Sequence, residues 1–524
     1  MLQYWDLRES RNNPNWLCPR WLTAAGVALR TGSMLGGMRG IISYGAYVPF
    51  RRLDRAEIGK FFGSGGGKGT RSVASYDEDT TSMGAEAARA ALRSVDPATR
   101  VDSLWFTTTA PSYADKTNAT TIHAALRLDR DTPAVDMNGA VRSAIGALRT
   151  ALSLGAGNAL VVAGDVRTGL PTSGDEADGG DGASAVLVGD GSSGAVIAEL
   201  MGCGTATEEF TDRWRVPGQS RSKLWEERFG EMAYLPLAAD AWKAALKDAG
   251  VEAGQIDKVF VTGTHGRAVR AAAGKLGVKS DALADDLASR VGNTGAAHAG
   301  IGLASMLENA QPGQLIALAV LADGAEVLIF RVTDAIEVFR SVRPLSGQLA
   351  NGGSLGYGKF LSWRGIVSVE PPRRPEPNRP SSAAALRRED WKYAFVGSRD
   401  KTTGIVHMPP ARVGIKGGVE GDMAPAAMAD TQGTVLTFTV DRLAYSPSPP
   451  IVFAVVDFDG GGRVPIELTD CDPADVTIGA RVEMTFRRLF TADDICNYFW
   501  KARLVRGASD DTARRVPGAS PRGL

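Results

Sequence analysis

Three stretches of this sequence carry residue types that could do chemistry. Residues 133–152, PAVDMNGAVRSAIGALRTAL, read as a buried strand, an Asn-Gly turn and a helix with apolar positions at Val141, Ile145, Leu148 and Leu152. A strand that enters a helix through a glycine turn suits a nucleophile, because helix N-terminal amides and the helix dipole stabilise negative charge. Here the first helical turn holds Val141, Arg142 and Ser143, and no thiol. Ser143 reads either as a substitute nucleophile or as a capping, solvated serine; it points to another side of the helix than Val141. The second stretch is THGRAV, where His265 stands at the expected start of a helix. It reads as a base, as a donor to a carbonyl oxygen, or as a loop histidine that helps the cap. The third is VGNTGAAHAG, in which His298 follows Asn293 by five positions and either shares a pocket with it or packs in the core.

Elements alternate around these stretches in a way that could position them. A strand and turn are expected over 39–50, a helix over 83–95, a strand over 101–109, a helix over 120–128 and a strand over 159–163. Strands over 183–189 and 194–200 close this half. After an insert (201–232) the order recurs: helix 237–248, strand 258–263, helices 267–276 and 300–307, strands 315–321 and 325–332. Two successive alternating halves predict a duplicated, layered α/β domain, although the halves share too little sequence to prove a repeat. A Pro/Gly/Arg-rich stretch over 339–383 marks a boundary. Short strands over 434–440, 451–457, 464–468 and 481–486 then predict a small β-barrel.

Composition narrows the class. The chain has 524 residues, 44% hydrophobic and 23% charged, as in a soluble globular protein of several domains. Lys+Arg and Asp+Glu balance at 59 each, so net charge calls for no anionic partner. Cys18, Cys203, Cys471 and Cys496 are widely spaced, which predicts a reducing, cytoplasmic setting without a disulfide framework. No apolar run approaches the roughly 20 residues of a membrane span. Residues 1–37, with a short apolar run stopped by Arg30, read as an extension, folding beginning near Met38. The glycine-rich run from Gly63 to Thr70 lacks phosphate-loop spacing and reads as a flexible loop.

Several segments together resemble the thiolase superfamily, and within it the archaeal-type hydroxymethylglutaryl-CoA synthases related to ketoacyl synthase III. These are GIISYGAYVP, DEDT at Asp77–Thr80, APSYADKT, EEFTDRWR at 208–215, VGNTGAAHAGIGLASML at 291–307 and PGQLIALAVLADGAEVLIFRVTD at 312–334. The C-terminal region resembles the acyl-CoA-associated OB-fold family through GTVLTFTV, PPIVFAVVDFD and LTDCDPADVTIGARVEMTF. The resemblance implies an extension (1–37), a thiolase-like α/β/α/β/α domain (38–338) and a linker (339–396). A degenerate zinc-ribbon-like segment (397–432), an OB-fold barrel (433–505) and a tail (506–524) follow. In the ribbon, the ligand positions hold Asp400, Thr403, Gly414 and Gly417, with His407 the one histidine nearby, so no zinc is expected.

The same resemblance implies a CoA-thioester substrate and a site from which the usual groups are gone. The cysteine position falls at Val141, the glutamate position at Thr109 and the histidine position at Thr262, while the asparagine is kept as Asn293. The remaining catalytic candidates are His265, Asn293, Tyr113 (with Asp115 in the glutamate-bearing loop) and His298. Arg142 and Arg267 are candidates for the CoA phosphates. The first expectation is a carbon–carbon lyase of the aldolase type, acting on a β-hydroxyacyl-CoA without a covalent intermediate. The second is a non-catalytic thiolase-like scaffold or partner subunit, and the third a hydroxymethylglutaryl-CoA synthase-like acyltransferase. A homodimer is expected and a partner enzyme allowed, with neither nucleic acid nor membrane. An open tunnel reaching Val141 would separate the lyase from the scaffold.

Overall fold

The computed structural model describes residues 39–137, 139–416 and 420–506. The extension 1–37, Cys18, Asn138, Gly417 and the tail after Arg506 lie outside the described residues.

The α/β domain is organised on one nine-stranded sheet. Its strands are β1 (Gly40–Tyr47), β2 (Ser103–Thr107), β3 (Ala134–Asp136), β4 (Ala159–Asp165), β5 (Gly182–Gly189), β6 (Ala198–Ala206), β7 (Lys258–Gly263), β8 (Leu315–Leu321) and β9 (Ala325–Val332). In space they run β3-β2-β4-β5-β1-β6-β9-β8-β7. The order is a palindrome about the β1–β6 junction, where only Gly40–Glu199 and Ile41–Ala198 pair. Each half repeats one pattern outward from that junction: two antiparallel pairings, then a parallel one (β4–β2 in the first half, β8–β7 in the second). Where the first half adds β3, the second has a single parallel bridge, Val259–Leu283. The duplication is therefore carried by topology.

Burial on both faces explains why these strands read as continuous apolar runs. The residues of β4, β5 and β8 are all buried. Helices α2 (Arg142–Leu152) and α5 (His298–Glu308) share one core cluster with β1, β8 and β9, forming a central layer between the two halves. Helix α1 (Thr80–Leu92) covers the outer face of the first half, and α3 (Glu227–Ala249) with α4 (Gly266–Ala273) that of the second. Five layers result. The small residues of α1 permit its burial: a Cβ on Gly45 of β1 would stand 2.1 Å from the Ala87 carbonyl oxygen. Asp79 caps α1, accepting from the Ser82 amide at 2.8 Å.

Three expectations change. The strand expected over 194–200 begins at Ala198 and runs to Ala206, into the stretch read as an insert. The helix expected from Leu237 starts at Glu227 and accommodates Pro236 internally. The connector folds rather than spanning as a bare linker. Tyr357, Phe360 and Leu361 pack on Leu53 and Ile58, and the Tyr357 hydroxyl donates to Glu176 at 2.8 Å.

The C-terminal barrel closes from β10 (Gly433–Asp441), β11 (Ile451–Phe458), β12 (Arg463–Leu468), β13 (Arg481–Ala492) and β14 (Ile495–Leu504). The last of these was not among the expected strands. Its hydrophobic cluster is continuous with that of α1. Ahead of it, Val396–Asp400, Val406–His407 and Met423–Ala427 form a three-stranded sheet. At its tip Asp400 Oδ1 accepts the amides of Thr402 and Thr403 at 2.8 and 3.0 Å. Gly414, another ligand position, lies against the same carboxylate. The turn is thus tied by an aspartate, and the residues present do not fit a zinc site.

Candidate active site

The end of β7, the segment before β5 and the residue that precedes α2, Val141, converge on a cavity of about 300 Å³. Val141 immediately precedes α2, after Gly139 with φ +122°. The start of α2 is closed by short turns, the Ser143 and Ala144 amides donating to the Ala140 and Val141 carbonyls at 3.1 and 3.3 Å. No cysteine is among the residues lining it. Ser143 is also absent from the lining.

His265 follows β7 and lines the cavity. It is the N-cap of α4: Nδ1 accepts the Ala268 amide at 3.1 Å. An imidazole that accepts at Nδ1 carries its proton on Nε2 when neutral. That Nε2 is buried without a partner, pressed close to Gly230 of α3. The capped ring is therefore a hydrogen-bond donor toward the cavity wall rather than a base.

His298 also lines the cavity but is 3% exposed. Its Nε2 meets the Asp286 carbonyl at 3.0 Å, and its Nδ1 accepts from the Thr294 amide at 3.3 Å. Burial pushes its pKa down to about 4. The ring is neutral at physiological pH, with both nitrogens engaged, and holds the loop that leads into α5. Asn293 lines the cavity between them. Its Nδ2 donates to the Gly263 carbonyl at 2.8 Å and its Oδ1 accepts from Gly295 N at 2.9 Å. This clamps the end of β7 to the start of the α5 loop and leaves one Nδ2 hydrogen over.

Tyr113 does not join this group. Its hydroxyl accepts from the Cys496 amide of β14 at 2.8 Å, a tie between the α/β domain and the barrel. Of the two arginines, Arg267 is on the cavity wall, paired with Glu231. Arg142 turns away, donating to the Asp323 carbonyl and to Thr207 Oγ1 at 2.8 Å. Thr262 lines the cavity. Thr109 presents its hydroxyl to Asp165, which is wholly buried.

The cavity also gathers charged side chains that the sequence reading passed over. Asp212 lines it and is 4% exposed, with the Tyr234 hydroxyl donating at 3.4 Å to Oδ1. Tyr234 also lies 3.3 Å from Thr264 Oγ1 and tilts against the His265 ring. Asp212 and His265 therefore flank one tyrosine. Arg213 pairs with Asp175 through two contacts of 2.8 and 2.9 Å. Asp212 and Arg213 both belong to EEFTDRWR, so the motif was visible but its inward-facing members were not. Leu224 and Trp225, both exposed, give the rim an apolar lip. Among the described residues no group of three or more His, Cys, Asp or Glu is placed to hold a metal ion.

Comparison with known proteins agrees with this architecture. Residues 246–329 match the family described as 3-oxoacyl-[acyl-carrier-protein] synthase III, C-terminal. Residues 427–487 match the C-terminal OB-fold domain of ChsH2. Hydroxymethylglutaryl-CoA synthase of Pyrococcus furiosus is 30% identical over 315 residues, covering 58% of this chain and 89% of that protein. The enzyme of Aeropyrum pernix is 31% identical over 346 residues, covering 63% and 95%. The solved structure of MvaS in complex with 3-hydroxy-3-methylglutaryl coenzyme A superposes with a TM-score of 0.55 at 22% identity, over 66% of this chain and 95% of that one. With this sequence similarity and the five-layered duplicated fold, the chain belongs to the hydroxymethylglutaryl-CoA synthase family of thiolase-like proteins and carries a C-terminal OB-fold domain.

Proposed function

We propose that this protein acts on a CoA thioester at the Val141 cavity, and that it breaks a carbon–carbon bond without a covalent acyl-enzyme. The observation that carries the reading is an open cavity that reaches Val141 with no cysteine in its lining. A scaffold that had lost its function would have no reason to keep this space open. Retro-aldol cleavage of a β-hydroxyacyl-CoA needs one base and one set of oxyanion donors. The base removes the β-hydroxyl proton and the Cα–Cβ bond breaks. The electron pair moves onto the thioester carbonyl as an enolate, and a ketone or aldehyde leaves. A proton then returns to Cα. Neither histidine is free to be the base. Asp212, nearly buried and on the cavity wall, takes that role in this reading. His265 Nε2–H and the spare Asn293 Nδ2 hydrogen are the donors for the enolate oxygen.

Incubation with a panel of β-hydroxyacyl-CoAs, followed by mass spectrometry, tests this. The expected outcome is a shortened acyl-CoA with no mass added to the protein. A covalent acyl adduct, or no change with any thioester, rejects the lyase reading. Synthase-like acyl transfer is the second reading, favoured by the names of the relatives. It predicts the adduct.

A further inference from the structure

A second recess lies where the α/β domain meets the ribbon-like sheet, with a volume of about 750 Å³. Its walls are the C-terminal end of the helix Ala119–Leu126, the connector helices Ser382–Arg387 and Glu389–Lys392, and the strands Val396–Asp400 and Met423–Ala427. Four guanidinium groups line it, those of Arg127, Arg130, Arg387 and Arg388. Most arginines of this chain that border a cavity or interface are paired, as Arg213 is with Asp175. These four are not: among the described residues none has a side-chain hydrogen bond or an ion pair. Arg127 sits in the left-handed region, φ +54°, at the C-cap of its helix. A side chain at such a position costs about 1 kcal/mol relative to glycine.

Four unpaired guanidinium groups around one concave recess raise its positive potential and draw anions to it. Guanidinium forks match phosphate oxygens two at a time, so four of them suit a diphosphate better than a single carboxylate. The recess also holds two carboxylates, Glu389 and Asp390, which lower its net charge to +2 with His123 neutral. They are not needed for a phosphate, but they are acceptors of the kind that bind sugar hydroxyls. Trp391 supplies an aromatic wall, its ring stacked on Phe395 at 5.1 Å and tilted against Phe499 at 5.5 Å. Cations, hydroxyl acceptors and an aromatic surface are the three groups that a nucleoside diphosphate requires.

We propose that this recess binds a nucleoside diphosphate group, with Arg127, Arg130, Arg387 and Arg388 on the phosphates. The group has two possible sources, a free nucleotide or the adenosine-diphosphate end of a CoA. The site is separate from the Val141 cavity, so the proposal stands or falls independently of the lyase reading.

Calorimetric titration of the full chain with ADP, adenosine and CoA tests it, using Arg127→Glu/Arg130→Glu and Arg387→Glu/Arg388→Glu. All four side chains are exposed, so both variants should keep the parent's melting temperature and spectrum. The expected result is ADP binding that weakens at least tenfold in each double variant, with adenosine binding much more weakly than ADP. Val141→Trp, which fills the other cavity, then separates the sources. CoA binding that survives in Val141→Trp and is lost when the arginine substitutions are added to Val141→Trp identifies CoA as the source. ADP binding alone surviving there identifies a free nucleotide. No ADP binding at millimolar concentration, ADP affinity unchanged in both arginine variants, or adenosine binding as tightly as ADP each overturns the proposal.

Discussion

Lys501 Nζ of the barrel lies 2.9 Å from Asp77 Oδ2 of the α/β domain, and neither side chain is exposed. Around that pair, Arg487 reaches Asp77 at 3.6 Å, Asp470 at 2.6 Å and the Tyr47 hydroxyl at 3.0 Å. Thr469 and Tyr498 of the barrel donate to Asp77 and Asp79, at 2.9 and 2.7 Å. The DEDT segment before α1 is thus the seat of the barrel. Removing one partner of a buried ion pair leaves its counter-charge in a dry setting, a loss of about 3 kcal/mol or more. Lys501→Met should therefore lower the urea midpoint of the whole chain, with the barrel and the α/β domain still melting in one transition. Two separated transitions in the parent protein would show that the network does not couple them.

Protonation of the same network sets a pH dependence with a definite sign. Burial pushes the Glu78 carboxyl up to about 7, against the attraction of Arg487. A carboxyl raised on folding favours the protonated fold. Its contribution is complete below the unfolded value near 4.3 and is lost as pH rises through about 7. Asp77 behaves oppositely. Burial opposes its charge, but Lys501 and Arg487 outweigh burial and hold it at about 2, so its contribution is present above about 4 and fades only in acid. Between pH 5 and 8 the titrating member is Glu78. Glu78→Gln should flatten the stability profile over that window, read as urea midpoints at pH 5, 6.5 and 8. A parent and variant with parallel profiles would remove Glu78 from the account.

Much of the fold was legible because burial on two faces writes apolar runs into a sequence. The strands of residues 315–321 and 325–332 are examples, and the barrel's alternation is another. What stayed hidden was decided by tertiary partners. Pro236 reads as a helix boundary, yet α3 continues through it under the packing of β6 and β9. The connector's prolines and arginines read as linker, yet Phe360 is buried between the cation faces of Arg71 and Arg364. At the site, Asn293 was singled out by the family resemblance, His265 by its place near the expected histidine position and His298 by following Asn293 by five residues, and all three line the cavity. Asp212 and Asp175 were missed because 59 acidic residues offer no local mark of which face inward. Tyr113 is tied to Cys496, 383 residues away, a partner that no local spacing shows.

His265 carries two separable duties, and two substitutions distinguish them. His265→Ala removes the cap and the Nε2 donor; loss of a cap costs about 1 kcal/mol. His265→Asn keeps a capping acceptor but has no group that reaches the former Nε2 position. The alanine variant should lose both melting temperature and turnover. The asparagine variant should recover the melting temperature and not the turnover. Equal turnover in parent and asparagine variant would make His265 a cap alone.

Asp212 is the decisive residue for the lyase reading, because it is the nearly buried carboxylate that reaches the cavity beside the ring of Tyr234. Asp212→Asn keeps the shape and can still accept from the Tyr234 hydroxyl, but it cannot take a proton. General-base catalysis contributes roughly 10²–10⁴-fold, so kcat should fall by that factor while acyl-CoA affinity, measured by calorimetry, stays within about threefold. Tyr234→Phe is the control. It removes the hydroxyl that sits 3.4 Å from Asp212 and 3.3 Å from Thr264 without removing the carboxylate. Its effect on kcat should be smaller, because the proton acceptor itself is kept. If Asp212→Asn retains full turnover, the proton acceptor lies elsewhere on the cavity wall. Asp175, held by Arg213, and Asp178, 3.4 Å from Arg55, are then the groups to replace next.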